Sequence, residues 1–245
     1  MINVVVFDVD GTLRMPNHPL ELDVVKGIHR LLRYDKQVSL VSGKNVVYLF
    51  GLAEGIGIPN PLVAGENGAV IFRPLEKTEI VYPVSDETAN SLDYVMSFLK
   101  QQFKDDIWSP QNRCGRTAFV RPGLPVDRVY DAALGFIERH RITNVYALPH
   151  WDAVDILPWG LDKGVFIEYL EEIGYLPEEV IAVGDALNDI PMLEAAGHSI
   201  TFEYSSDEVK AVAGTVVREI YEAFEVIKEL IEAGEGGTSP GSKNL

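Results

Sequence analysis

The stretch Ile2-Asn3-Val4-Val5-Val6-Phe7-Asp8-Val9-Asp10-Gly11-Thr12 carries an apolar, β-branched run straight into two carboxylates and a glycine. Ile2 to Phe7 has the length and composition of a buried β-strand bounded by a turn. In open α/β sheets ligands bind beyond the carboxyl ends of the strands, so Asp8 and Asp10 stand where chemistry is done. Side chains alternate along an extended backbone, so the spacing predicts that both acids project to one side while Val9 turns into the core. Hard oxygen donors at a strand end suit Mg²⁺, which binds carboxylates, waters and phosphate oxygens. Asp8 is placed to attack phosphorus as a carboxylate nucleophile, and Asp10 to protonate a leaving alcohol and then activate water. Gly11 permits a tight turn whose amides can hold phosphate oxygens. Asp-x-Asp-Gly also occurs in ordinary turns and in calcium loops. A calcium hand requires a further Asp and a later Glu between helices, which this chain lacks.

Further strand ends carry matching chemistry. Val38 to Val41 delivers Ser42-Gly43 just before a helical pattern beginning near Asn45, a hydroxyl and a free amide suited to phosphate. Ala153 to Leu157 and the turn Pro158-Trp159-Gly160 precede Lys163, which opens a helix at Val165. A cation in the first turn is disfavoured by the helix dipole, so an anion to bind would explain it. Val180 to Val183 ends at Gly184-Asp185, with Asn188-Asp189 in the following turn and Pro191 near the next helix start. Those carboxylates complete an oxygen-rich metal site with the first pair. Taken singly, each segment has a plainer account: a helix cap, a surface lysine, a Gly-Asp turn. The plain accounts do not explain the whole set.

That set, in order, residue type and strand-before-motif context, resembles the haloacid dehalogenase superfamily of phosphatases over Asp8 to Asp189. The resemblance implies an α/β fold, a Rossmann-like doubly wound parallel sheet carrying a smaller inserted α/β cap. It also implies roles: Asp8 as nucleophile, Asp10 as general acid/base, Ser42, Gly43 and Lys163 on phosphate, and Asn188 beside the phosphate or metal. Mg²⁺ is the implied cofactor, with Asp8, Asp10, Asp185 and Asp189 as its ligands. Glu66-Asn67-Gly68-Ala69 resembles the signature of the type IIB branch, which inserts its cap between the second and third motifs and includes Cof-like, phosphoglycolate and sucrose phosphatases. Ser42-Gly43-Lys44 departs from the Thr-Gly-Arg of many relatives but keeps the hydroxyl.

The expected division is a core over 1–84 and 159–233, a cap over 85–158, and a Gly/Ser/Pro-rich flexible tail over 234–245. Within the cap, helices are expected over 86–100 and 126–139, and strands over 116–120, 144–148 and 153–157. Substrate choice should lie there. Asn112-Arg113-Cys114-Gly115-Arg116 is turn-rich and basic, so Arg113 or Arg116 is a candidate partner for a second anionic group such as a carboxylate. Trp151, in His150-Trp151-Asp152, is placed to pack on a sugar ring, although a plain hairpin turn explains that segment equally well.

The 245 residues and 47% hydrophobic composition suit a globular core plus a lid. A net charge of −16 argues against a nucleic-acid partner, since phosphate neutralisation needs a basic patch. Much of that acidity lies on Glu219, Glu222, Glu225, Glu229 and Glu232, the solvated face of an amphipathic helix. No apolar run suits a membrane, and the apolar start is too short for a secretory signal, so cytoplasmic residence is expected. Lone Cys114 excludes an internal disulfide, and the five histidines lack zinc-ligand spacing. The expected activity is Mg²⁺-dependent hydrolysis of a small phosphorylated metabolite, phosphoglycolate or a sugar phosphate, through an aspartyl-phosphate. Phosphomutase-type transfer and a non-catalytic phosphate sensor are the alternatives, and monomer and homodimer both remain open.

Overall fold

A computed structural model describes residues 1–235; most of the expected tail lies outside the described residues. Its parallel core sheet starts from β1 (Val4–Phe7), β2 (Gln37–Val41) and β3 (Val63–Gly65). β4 (Val70–Arg73) and β5 (Thr78–Val81) follow as antiparallel additions, and β10 (Val180–Val183), β11 (His198–Phe202) and β12 (Thr215–Val217) fill the other side. The eight strands run β12-β11-β10-β1-β2-β3-β4-β5. β1 is flanked by β2 and β10, both parallel to it. Two motif-bearing strands that are remote in sequence therefore lie on either side of the strand that leads into Asp8.

Alternation along the strands builds both faces. Val5 and Phe7 join Val38, Leu40, Ile181 and Val183 on one face. That face is covered by α1 (Leu22–Leu32), α2 (Val46–Ile56) and α8 (Ile220–Glu235). Val4, Val6, Val41 and Ala182 point the other way, beneath α5 (Gly164–Glu172), α6 (Ile190–Ala195) and α7 (Asp207–Val212). Each fully buried aliphatic side chain in such a layer contributes about 1.5–3 kcal/mol. The N-cap Asn45 accepts from the Tyr48 amide at 2.8 Å, starting α2 where the sequence predicts it. α8 continues through Gly234 and Glu235, so these two residues are helical where a tail was expected.

Between β5 and α5 lies a second, antiparallel sheet with the order β6-β7-β9-β8. Its strands are β6 (Ile107–Trp108), β7 (Arg116–Val120), β8 (Val145–Pro149) and β9 (Ala153–Pro158). Ala118, Val154, Ile156, Val145 and Ala147 face α3 (Asp86–Phe103) and α4 (Val126–Arg139), where Leu92, Leu99, Val129 and Phe136 complete a separate apolar core. The opposite face presents Thr117, Phe119, Ala153 and Asp155 to the carboxyl ends of the first sheet. β6 and the β4–β5 hairpin were not anticipated. β6 is only a dipeptide, and β5 is largely exposed and polar, so neither carries a burial pattern. No helix among the described residues is long and apolar enough to cross a membrane.

The seam between α1 and α8 is tight. A Cβ on Gly27 would come within 2.2 Å of the buried Phe224 ring, which itself packs on Phe7 at a centroid distance of 5.9 Å. Alanine is the better helix former by about 1 kcal/mol, but forcing the ring aside costs about 1–3 kcal/mol. Gly27→Ala is therefore expected to lower stability by up to about 2 kcal/mol, read as a reduced urea midpoint at unchanged m-value. An increased midpoint would show that Phe224 relocates freely.

Candidate active site

β1 stops at Phe7, and from Asp8 onward the chain turns rather than continuing as a strand. The Leu13 and Arg14 amides both donate to the Val9 carbonyl, and Gly11 takes φ +96, a left-handed conformation suited to glycine. The turn leaves Asp8 4% exposed, with its Oδ1 2.6 Å from Lys163 Nζ. Lys163 reaches inward from the start of α5, where Asp162 Oδ1 accepts the Gly164 amide and fixes the turn. The same ammonium lies 2.5 Å from Asp189 Oδ1. Asp189 uses its Oδ2 to accept the Asp185 and Ala186 amides, each at 2.9 Å. Asp185 receives the Thr12 hydroxyl at 2.8 Å.

Asp8, Asp185 and Asp189 thus offer carboxylate oxygens that all lie within 4.8 Å of one another. A single ammonium does not balance them. Burial pushes the Asp8 carboxyl up to about 7, against the pull of Lys163 and with added repulsion from Asp189. Burial likewise pushes Asp185 up to about 8, helped by the charges of Asp8 and Asp189 and opposed by Thr12 and Lys163. Burial works against the Lys163 ammonium too, but Asp189 and Asp8 outweigh it and raise its pKa. A cluster of hard, all-oxygen donors short of positive charge fits a divalent cation such as Mg²⁺. Gly11 is required beside it, because a Cβ there would lie 2.2 Å from Asp185 Oδ2.

Asp10 departs from the expected arrangement. Its Oδ1 accepts from Arg14 Nη2 at 2.7 Å and Nε at 2.9 Å, and its Oδ2 lies 2.8 Å from Lys44 Nζ. The side-chain carboxylate is outside the three-carboxylate cluster, contrary to the sequence expectation of a shared ligand set. The reason is local: Arg14 and Lys44 draw the carboxylate to themselves.

A cleft of about 450 Å³ opens above the cluster. Asp8, Asp10, Ser42, Gly43, Asp185 and Asn188 line it from below, and Thr117, Phe119, His150, Trp151 and Asp155 line it from the second sheet. Ser42, Gly43 and Asn188 are therefore brought to the same cavity as Asp8, with Lys163 buried beneath.

Arg113 and Arg116 are not. The Arg113 guanidinium pairs with Glu79 on β5, and Arg116 Nε pairs with Asp93 on α3 at 2.7 Å. Period-two alternation explains Arg116: its neighbour Thr117 takes the cleft face, so Arg116 faces the helices. The basic stretch acts through its backbone instead. Glu66 accepts the Arg113 amide at 2.9 Å and the Cys114 amide at 2.8 Å, tying the loop after β3 to the second sheet. Burial pushes the Cys114 thiol up to about 11, and it donates weakly to the Tyr82 carbonyl at 3.5 Å.

One polar group in the cleft wall was not singled out in sequence. Asp155 is 3% exposed and accepts Thr117 Oγ1 at 2.6 Å and Asn67 Nδ2 at 3.0 Å, with His150 Nε2 at 2.9 Å. The available signal was a lone acid between Val154 and Ile156 in an apolar strand, since buried charges are found paired.

The haloacid dehalogenase-like hydrolase family model matches residues 5–113 and 137–223. The chain is 30% identical to a phosphoglycolate phosphatase of Methanoculleus marisnigri over 224 residues, 90% of this chain and 92% of that one. The fold matches a crystal structure of a haloacid dehalogenase-like hydrolase from Bacteroides thetaiotaomicron with a TM-score of 0.76 at 17% identity, covering 94% and 100% of the two chains. It also matches a subclass IIB sugar phosphatase of the superfamily with a TM-score of 0.71 at 16% identity, covering 93% and 98%. The chain belongs to the haloacid dehalogenase-like hydrolases and is a phosphatase of that superfamily.

The carboxylate cluster makes a metal prediction. Binding to the folded state alone raises stability by mass action, so millimolar MgCl₂ is expected to raise the Tm of the protein. Asp185→Asn removes a charge that burial and the neighbouring Asp8 and Asp189 carboxylates disfavour, so without metal its Tm should equal or exceed the parent's. Its Tm should then respond little to MgCl₂. An equal Mg²⁺ response in both proteins, measured by scanning calorimetry, would place the ion elsewhere.

Proposed function

We propose that this phosphatase is Mg²⁺-dependent and hydrolyses a small phosphomonoester, 2-phosphoglycolate foremost and a sugar phosphate second. The observation that carries the proposal is the meeting of Asp8, Lys163, Asp185 and Asp189 under one small cleft, although they are far apart in the chain. The substrate preference draws on the named activity of the Methanoculleus marisnigri relative and on the size of the cleft. Asp8, Asp185 and Asp189 are the residues to hold Mg²⁺, which when bound neutralises charge between an anionic nucleophile and an anionic phosphate.

An Asp8 carboxylate oxygen attacks phosphorus in line with the ester oxygen, forming the aspartyl-phosphate as the P–O bond to the alcohol breaks. Lys163 beside Asp8 favours the ionised nucleophile and lies close to the developing charge. Ser42 and Gly43 hold phosphate oxygens from the end of β2. Asp10 gives its proton to the leaving alkoxide and then takes one from the water that attacks the acyl-phosphate, freeing Asp8 and orthophosphate. Both Asp10 oxygens accept from cations, so at least one of the Arg14 and Lys44 contacts must open as substrate enters. Lys44 lines the cleft, and its ammonium can transfer to a phosphate oxygen. Residues 85–158 act as the cap, with Phe119 and Trp151 excluding bulk water above the ester.

Asp8→Asn is expected to lower kcat on p-nitrophenyl phosphate at least about 10³-fold with little change in the circular dichroism spectrum. EDTA should likewise abolish turnover of the parent protein, and added Mg²⁺ should restore it. Asp8→Asn protein retaining full turnover would remove the nucleophile assignment. An isomeric hexose phosphate formed from a hexose 1-phosphate, in place of orthophosphate, would replace hydrolysis by mutase chemistry.

A further inference from the structure

The upper wall of the cleft holds a His–Asp pair that the hydrolytic steps do not use. His150 sits in the turn between β8 and β9, where its amide donates to the Ala153 carbonyl at 2.7 Å and closes the hairpin. Its Nε2 is 2.9 Å from Asp155 Oδ2. Burial opposes the charge on Asp155, but His150, Thr117 and Asn67 outweigh it and hold its pKa below the usual carboxylate range. An ionised carboxylate only accepts, so His150 Nε2 carries the proton in that bond. In the imidazolium, the second donor, Nδ1–H, has no protein partner among the described residues.

The pair is also oriented. Asn67 donates to Asp155 and accepts the Asn188 amide group at 3.3 Å, so a chain of hydrogen bonds runs from the loop after β10 to the His150 ring. Thr117 clamps the other Asp155 oxygen and itself accepts from Asn112 Nδ2 at 2.9 Å. A structural salt bridge would not need to stand in a substrate cavity, yet both partners line it. The other cation lining the cleft is Lys44, which leaves from the Ser42-Gly43 end beside Asp10. His150 reaches the cleft from the β8–β9 turn of the second sheet, and its partner Asp155 lies against Gly43, so the pair stands over the Ser42-Gly43 end where the non-phosphate part of a short ester can meet it.

We infer that His150, held in place by Asp155, is a specificity residue that receives a second anionic group, a carboxylate, on the substrate. This rests on the phosphatase reading and narrows its substrate class to short phosphorylated hydroxy acids. Recognition is by an N–H of the imidazolium to a carboxylate oxygen, with the buried Asp155 supplying the counter-charge when the site is empty. Arg113 and Arg116, which carried this role in the sequence expectation, are engaged elsewhere.

The test compares 2-phosphoglycolate with 2-hydroxyethyl phosphate, which replaces the carboxylate by a hydroxymethyl group. The parent protein should favour 2-phosphoglycolate in kcat/KM by about tenfold or more, mainly through KM, as expected for one charge-assisted hydrogen bond. His150→Gln should bring the ratio to within about twofold. Asp155→Asn should move it in the same direction, which a purely structural role would not do. Burial lowers the His150 pKa and the Asp155 charge and hydrogen bond more than offset it, so the net shift is upward from 6.5. Asp155, Lys163 and Asp8 act on the ring, and Asp152 faces it across the turn. The preference should therefore be full at low pH and decline as pH rises past the folded pKa, with no such decline in His150→Gln.

An unchanged ratio in His150→Gln, or no preference in the parent protein, overturns the inference. Turnover of p-nitrophenyl phosphate without a carboxylate preference does so while leaving the phosphatase reading intact. Failure to hydrolyse all three esters sinks that reading instead. Calorimetric binding of 2-phosphoglycolate and 2-hydroxyethyl phosphate to the Mg²⁺-loaded protein then decides the subsite by the same ratio.

Discussion

A buried ammonium holds the strand-end carboxylates of this protein together. Lys163 is 1% exposed and makes its ion pairs with Asp8 and Asp189, carboxylates supplied by two different strand ends. Removing one partner from a buried ion pair typically costs about 3–5 kcal/mol, because the other charge is left uncompensated. The arrangement works only because β1 lies beside β10 in the sheet and α5 starts directly over their ends. Three carboxylates face one ammonium, and that imbalance suits the cluster to a cation. Stability and chemistry therefore place opposite demands on the same oxygens.

The second sheet meets this centre through few, specific contacts. Glu66 and Asn67 leave the loop after β3 in left-handed backbone conformations, with φ of 52 and 55. Non-glycine residues adopt that region at a cost, and these two do so where their side chains bridge to the Arg113 and Cys114 amides and to Asp155. With its own apolar core under α3 and α4, the second sheet can present a polar face to the cleft. A single buried layer shared with the first sheet would have required that face to be apolar.

Much of this was legible along the chain. The runs Val4 to Phe7, Val38 to Val41 and Val180 to Val183 are buried on both faces, so they read as apolar strands, interrupted only by Ser39 and each followed by polar residues. The helices over 86–103 and 126–139 announce themselves by periodicity, and the second begins and ends where that pattern does. Polar β5 and the dipeptide β6 escaped notice because neither is long enough or buried enough to leave a pattern. Asp10 shares the cleft with Asp8, as the spacing predicts, but its carboxylate is drawn to Arg14 and Lys44 instead of the three-carboxylate cluster.

Local pattern sufficed for the elements, their order and the kinds of side chain at each strand end, since burial periodicity and turn chemistry act over a few residues. It also sufficed to group Asp8, Lys163, Asp185 and Asp189 as a chemical set. Only the folded chain could settle which face of β7 and β9 looks into the cleft, and so why Thr117 and Asp155 line it while Arg116 does not. The same holds for the seating of Asp10 between Arg14 and Lys44 and for the pairing of His150 with Asp155. Those outcomes depend on strand register and on the competition of charges for partners in three dimensions, neither of which is written in the spacing of residues along one segment.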